Sequence, residues 1–302
     1  PEYSSALNNI GAEFLKLEDL QNARLYISKA LVVDDKKIET LVNSVLISIF
    51  ENDFHPAITF LNDAIEKGIN DERLVFFFVI LKSYLGKSED LENLLSKLSK
   101  NNPLYIKLSA WKQFYNHRSL IFSISKFRKN MILDGIKLSD KKGLYLEFGV
   151  ATGYSINFIA KEIQTDIHGF DSFEGLDEEW NGLPDKAFSL DGKIPKVEKN
   201  VIIHKGYFNN TVEAFFNDNS DKISFMHIDC DLYSSAQIVL NLSVNNLAIG
   251  SVILFDEMVG YDGFEDHEFK AFNEFVSKYN VKYECLGINY LTGQVLIRIL
   301  SL

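Results

Sequence analysis

Glu147-Phe148-Gly149-Val150-Ala151-Thr152-Gly153-Tyr154-Ser155 is the stretch on which the fold turns. It continues the β-rich run Leu144-Tyr145-Leu146 and leads into the helical pattern Asn157-Phe158-Ile159-Ala160-Lys161-Glu162. A strand that breaks on small residues and resumes as a helix opens a βαβ unit, and small residues there let a ligand approach the backbone. Glu147 stands where it can accept hydrogen bonds from such a ligand. The next β-rich run, Ile167-His168-Gly169-Phe170, ends in Asp171, 18 residues after Gly153. A carboxylate at that place can hold the two hydroxyls of a ribose. Pyrophosphate-binding turns carry glycine at the first, third and sixth positions. Here Ala151 takes the third and Tyr154 the sixth, so a nucleoside cofactor without a pyrophosphate is expected.

Working outward, short β-rich runs alternate with helical stretches from Gly143 onward. The strand candidates are 144–148, 167–170, 201–204, 223–228, 252–255 and 294–298. Such alternation predicts a parallel sheet covered on both faces, with ligands beyond the carboxyl ends of its strands. Two of those ends are acidic: Asp229-Cys230-Asp231 follows one strand and Asp256-Glu257 another. Four carboxylates on one rim repel each other unless a cation lies among them, and a hard divalent ion with oxygen ligands would remove that cost.

Five motifs occur in order: Glu147–Ser155, Phe170-Asp171-Ser172-Phe173-Glu174-Gly175-Leu176, Gly206-Tyr207-Phe208-Asn209-Asn210-Thr211, His227-Ile228-Asp229-Cys230-Asp231-Leu232-Tyr233 and Phe255-Asp256-Glu257. Together they resemble the macrocin O-methyltransferase family of sugar methyltransferases, over roughly residues 115–302. The resemblance implies a Rossmann-like class I methyltransferase fold, S-adenosylmethionine as methyl donor, Mg2+ or a similar ion, and a saccharide hydroxyl as acceptor. It also implies that Glu147, Gly149, Ala151, Gly153, Ser155, Asp171 and Ser172 bind the cofactor. Asp229, Asp256 and Glu257 would ligate the metal, and Asp231 would be the general base. The chain departs from the family pattern at Tyr154, often a second glycine, and at Glu257, often aspartate.

Two other readings of the same residues stay open. An Asp-x-Asp such as Asp229/Asp231 can hold a metal and a sugar nucleotide in a glycosyltransferase, although this leaves the glycine turn and Asp171 unexplained. Alternatively, the fold survives only as a scaffold. His204 and His227 read as packing residues and His267 as an exposed helix start. Trp180, Tyr207, Phe208 and Tyr233 offer either a face for a sugar ring or core packing.

The amino-terminal third follows a different period. Leu7, Ile10, Gly11, Phe14, Ala23, Ile27 and Ala30 match the small and large packing positions of tetratricopeptide repeats, which the segment resembles. A step of 34 carries Ala23, Ile27 and Ala30 onto Ala57, Leu61 and Ala64, and a second step reaches Leu91, Leu95 and Leu98, with Pro103 closing the array. An all-α domain over 1–103 is therefore expected, then a basic helical connector over 104–143 and the α/β methyltransferase domain over 144–302. Repeats of this kind bind a protein partner or space the domain that follows. Pro1 falls inside a helical pattern, so the natural start is expected upstream. A fusion to further domains of a polysaccharide-building enzyme is conceivable on that ground.

Net charge is −11, which argues against duplex nucleic acid as a partner, because phosphate binding needs a cationic face. The charge is unevenly spread. Residues 1–103 hold 11 basic and 16 acidic side chains, 104–143 hold 9 and 2, and 144–302 hold 11 and 24. The basic stretch predicts either docking against acidic surface or contact with an anionic substrate group. The longest apolar run, Leu74–Leu81, is too short to span a bilayer. Cys230 and Cys285 cannot form a disulfide framework and are expected as buried thiols in a cytoplasmic protein.

Overall fold

The computed structural model describes residues 2–69, 71–140 and 142–302. It divides into two compact units, one of Pro1–Asn116 with Ile124–Phe127, the other of His117–Ser123 with Arg128–Leu302. In the first unit the helices are α1 (Glu2–Lys16), α2 (Leu20–Val33), α3 (Ile38–Phe50), α4 (Phe54–Glu66), α5 (Glu72–Tyr84), α6 (Glu89–Lys97) and α7 (Pro103–Asn116). Their ends are marked in the sequence. Asp19 accepts the Asn22 N–H at the start of α2 and Asp71 accepts the Arg73 N–H at the start of α5, satisfying donors that a helix leaves unpaired.

The 34-residue spacing falls on α2, α4 and α6. Ala23, Ile27 and Ala30, then Ala57, Leu61 and Ala64, then Leu91, are all buried. Gly11 of α1 explains why small residues recur: a β-carbon there would lie 2.7 Å from the Ile27 side chain. α7 is fixed on α5 by the buried Trp111, whose indole N–H donates to Ser83 Oγ at 3.2 Å.

The second unit is built on an eight-stranded sheet, among the described residues, in the order β1-β7-β8-β6-β5-β2-β3-β4. The strands are β1 (Arg118–Ser123), β2 (Leu144–Phe148), β3 (Ile167–Asp171), β4 (Val201–Lys205), β5 (Ile223–Ile228), β6 (Val252–Phe255), β7 (Lys282–Asn289) and β8 (Gln294–Ser301). All pairings are parallel except those of β8, which runs antiparallel to β6 and β7. The helices are α8 (Arg128–Leu138), α9 (Tyr154–Glu162), α10 (Phe208–Asp218), α11 (Tyr233–Ser243) and α12 (Glu268–Tyr279). This is the Rossmann-like α/β arrangement expected. From β2 the chain moves outward to β3 and β4, then returns to place β5 on the other flank of β2. The order therefore reverses between β2 and β5, and a crevice opens beyond their carboxyl ends.

All six strands anticipated from the sequence are present; β1 and β7 are additional. Lys282, Glu284 and Gly287 interrupt the apolar run of β7 and hide it from a pattern reading. The register resolves this. Glu284 pairs across the strands with Arg298, whose Nε donates to it at 2.7 Å. Gly287 lies where a β-carbon would be 3.0 Å from the Ser123 carbonyl of the edge strand β1. The stretch 104–143, expected as a helical connector, holds α7, β1 and α8, of which α7 belongs to the first unit and β1 and α8 to the second.

Candidate active site

Gly149 sets the geometry. Its φ is +92°, and a β-carbon there would come within 1.7 Å of the Asp229 carbonyl oxygen. A side chain is thus excluded by the neighbouring strand end as well as by backbone conformation. The turn continues through Ala151 at φ 44°, a left-handed conformation costing of order 1–2 kcal/mol. Asp171 holds it there. Its Oδ2 accepts the N–H groups of Val150 at 2.8 Å and Ala151 at 2.7 Å, and its Oδ1 accepts that of Phe173 at 2.6 Å. Asp171 therefore ties the loop after β2 to the loop after β3 while still lining the pocket.

Glu147 lies elsewhere. It is fully buried beneath the turn, accepts from Ser155 Oγ at 3.1 Å and meets His227 Nδ1 at 2.9 Å. It is absent from the pocket wall, as is Gly153, which packs against Asn157, Pro195 and Val197 at the start of α9. Gly149, Ala151, Ser155, Asp171 and Ser172 do line the pocket.

The carboxylate rim stands opposite, at the ends of β5 and β6. Asp256 is buried and fully engaged. Its Oδ1 meets His227 Nε2 at 3.3 Å and accepts the Gln294 amide at 2.5 Å, and its Oδ2 pairs with the Arg128 guanidinium at 2.8 Å. Arg128 also reaches Asp229 Oδ2 at 3.0 Å. His227, read from the sequence as packing, is a buried link between Glu147 and Asp256. Burial opposes its charge, but these two carboxylates raise its pKa to about 10, so it is an imidazolium donating in both directions. Burial alone would raise Asp256; His227, Arg128 and Gln294 outweigh it and hold Asp256 below the ordinary carboxylate range.

The other side of the rim lacks such compensation. Burial, reinforced by neighbouring carboxylates, pushes Glu257 well up. Asp231, in a left-handed turn at φ 58°, is raised to about 6 by burial and by Asp256, with Glu257 and Arg128 opposing. Glu268, at the start of α12, is completely buried and raised by that burial and then by Asp231. Neither of its oxygens, nor Glu257 Oε2, has a hydrogen-bond partner. Asp229 stands between the two sides: burial and Asp256 raise it, while His227 and Arg128 pull it down.

Turn and rim share one cavity of about 670 Å³. Its wall includes Arg128, Asp229, Asp231, Asp256 and Glu257 together with the residues of the turn. Two groups bring donor atoms within 4.8 Å of one another: His227, Asp229 and Asp256, and Asp229, Asp231 and Glu257. The set Asp229, Asp256 and Glu257 implied by the family resemblance is neither of these. Tyr207 and Phe208 line the cavity, with Tyr154 and Phe188 exposed beside them. Trp180 is buried against Tyr261 at 5.7 Å between ring centres, and Tyr233 donates to Glu274 at 2.7 Å. Gln294 and Glu268 had no signal in the local sequence pattern, and Arg128 had only a hint, as one of the basic residues of 104–143.

Residues 146–258 match a family described as a methyltransferase domain, and all five motifs lie within the match. The chain thus carries a methyltransferase domain on a Rossmann-like sheet. No curated protein matches the sequence. Among solved structures it is similar to the calicheamicin methyltransferase CalS11, with 18% identity over 70% of this chain and 92% of that one, at a TM-score of 0.45. It is also similar to the O-methyltransferase NovP, with 17% identity over 58% and 80% of the two chains and a TM-score of 0.43. An O-methyltransferase from Bacillus cereus in complex with SAH shares 10% identity over 73% and 95%, with a TM-score of 0.39. Among the described residues, no helix is long and apolar enough to cross a membrane.

Proposed function

We propose that the second unit transfers the methyl group of S-adenosylmethionine to a hydroxyl of a saccharide-containing acceptor, assisted by a divalent cation. One observation carries this reading: the glycine turn pinned by Asp171 and the carboxylate rim open onto the same cavity. A nucleoside on the turn would present its sulfonium methyl toward the rim, and methyl transfer needs only that the acceptor oxygen be held in line with it. Val150, Ala151 and Asp171 give the turn a fixed shape before the cofactor arrives. Asp231, with its pKa near 6, accepts the hydroxyl proton as the carbon–oxygen bond forms, and it is charged for that task at neutral pH.

The rim suits a hard cation. Asp229, Asp231 and Glu257 offer oxygens within 4.8 Å of one another, and Glu257 Oε2 is buried without a partner. A divalent ion there would stabilise the developing alkoxide. A glycosyltransferase using Asp229/Asp231 leaves the methyltransferase-domain match unexplained. The helices of the first unit are read as tetratricopeptide-like repeats serving a protein partner or a fused domain, from the 34-residue spacing of their buried positions.

A labelled-methyl transfer screen over sugar nucleotides and short glycans, with Mg2+ or with chelator, tests the function. Transfer that needs both S-adenosylmethionine and the cation is expected. The Asp231→Asn variant should lose transfer while binding S-adenosylmethionine nearly as before; full activity in that variant would remove Asp231 from the mechanism.

A further inference from the structure

The rim contains a cation already. Arg128 bridges Asp229 Oδ2 and Asp256 Oδ2 at 3.0 and 2.8 Å, and Asp256 Oδ1 is occupied by His227 and Gln294. Asp256 therefore has no oxygen free of a hydrogen-bonded partner. On the far side, Glu257 Oε2 and both oxygens of the fully buried Glu268 have none. Burial acts most strongly on Glu268, followed by the charges of Asp231, Asp229 and Asp256. The unpartnered oxygens thus gather on one flank of Asp229.

We propose that Arg128 is a resident cation that keeps Asp256 out of the metal's coordination shell and directs the divalent ion to Asp229 and Glu257, with Asp231 in reach and Glu268 behind. This rests on the reading of the cavity as a metal-assisted methyl-transfer site. A guanidinium does not lose its proton at physiological pH, so it cannot yield its place by titration. A divalent ion bound to Asp256 would have to displace it or endure its repulsion. A hard ion instead finds oxygens with open lone pairs on the Glu257 side. Asp231, beside these oxygens, would remain the group that receives the acceptor's proton. The residues that resemble the family's ligands thereby divide: Asp256 is engaged on both oxygens by Arg128, His227 and Gln294, Asp229 is shared between Arg128 and the metal, and Glu257 is left to the metal.

Mn2+ binding to the full chain, read by electron paramagnetic resonance and calorimetry, tests this. Asp256→Asn should leave Mn2+ affinity within about threefold, whereas Glu257→Gln should weaken it by about tenfold or more. Arg128→Met should tighten binding by about tenfold or more, because it removes a repelling charge and frees two carboxylate oxygens. This last variant decides the matter if Asp256→Asn does not fold. Loss of Mn2+ binding in folded Asp256→Asn would overturn the proposal. Unchanged or weaker binding in Arg128→Met would do the same, as would failure of both wild type and Arg128→Met to bind at millimolar Mn2+. S-adenosylmethionine binding measured on the same proteins separates the two conclusions: its retention alongside a failed Mn2+ result overturns only the role of Arg128, and its absence overturns the proposed function.

Discussion

The two flanks of the carboxylate rim are built from the same residue types at neighbouring strand ends, yet they are electrostatically unlike. On the β6 side toward β8, Asp256 lies among Arg128, the His227 imidazolium and the Gln294 amide, and is held below the usual carboxylate range. On the side facing α12, Asp231, Glu257 and Glu268 crowd together and are all pushed up by burial and then by the charge of a neighbouring aspartate. The difference teaches that a cluster of acids is not a single object. One flank is a salt-bridge network that joins Arg128, Asp229, His227, Asp256 and Gln294, and the other is a group of acids whose burial outweighs what their neighbours offset.

The sharpest way to break this contrast is to neutralise one acid on each flank. Asp256→Leu leaves the buried His227 imidazolium and the partly exposed Arg128 facing fewer carboxylates and should destabilise the protein by about 3–5 kcal/mol, seen as a lower denaturant midpoint. Glu268→Gln keeps the shape of a buried carboxyl whose charged form burial disfavours, so in metal-free protein it should be neutral or stabilising by up to about 2 kcal/mol. Equal losses in both variants would mean that the flanks do not differ.

Smaller in effect is the pH dependence set by His227. Its folded pKa of about 10 lies above the ordinary 6.5, so the stability it contributes is fully present below pH 6.5 and is lost as pH rises toward 10. The melting temperature should fall across that window, and His227→Phe should flatten the fall. Smallest is Asp171→Asn, which keeps one carbonyl oxygen for the turn but loses an acceptor. It should cost about 1–2 kcal/mol and weaken S-adenosylmethionine binding without altering Mn2+ affinity.

Much of this was legible in the sequence. The glycine turn, the six expected strands and the acidic strand ends announced themselves because each rests on local chemistry, a residue type at a fixed distance from a strand. The packing step of 34 residues was equally local: its positions in α2 and α4 are buried, whereas of the third set Leu91 is buried, Leu95 is half-buried in α6, and Leu98, also half-buried, lies just past the end of that helix. What could not be read is what approaches from far along the chain. Arg128 comes from 101 positions before Asp229, Gln294 from 38 beyond Asp256, and His227 gave no sign that both of its nitrogens face acids. Glu147 shows the same limit in reverse: its place in the turn suggested a ligand contact, whereas β5 supplies His227 as its partner. Strand pattern predicts which side chains reach a rim, but the charge balance there depends on residues from other elements.

Calorimetric titration of S-adenosylmethionine into the full chain tests the central claim most directly. A single site per chain is expected, weakened in Asp171→Asn and retained in Asp231→Asn. No detectable heat of binding by folded protein, together with metal-dependent binding of a sugar nucleotide, would contradict it.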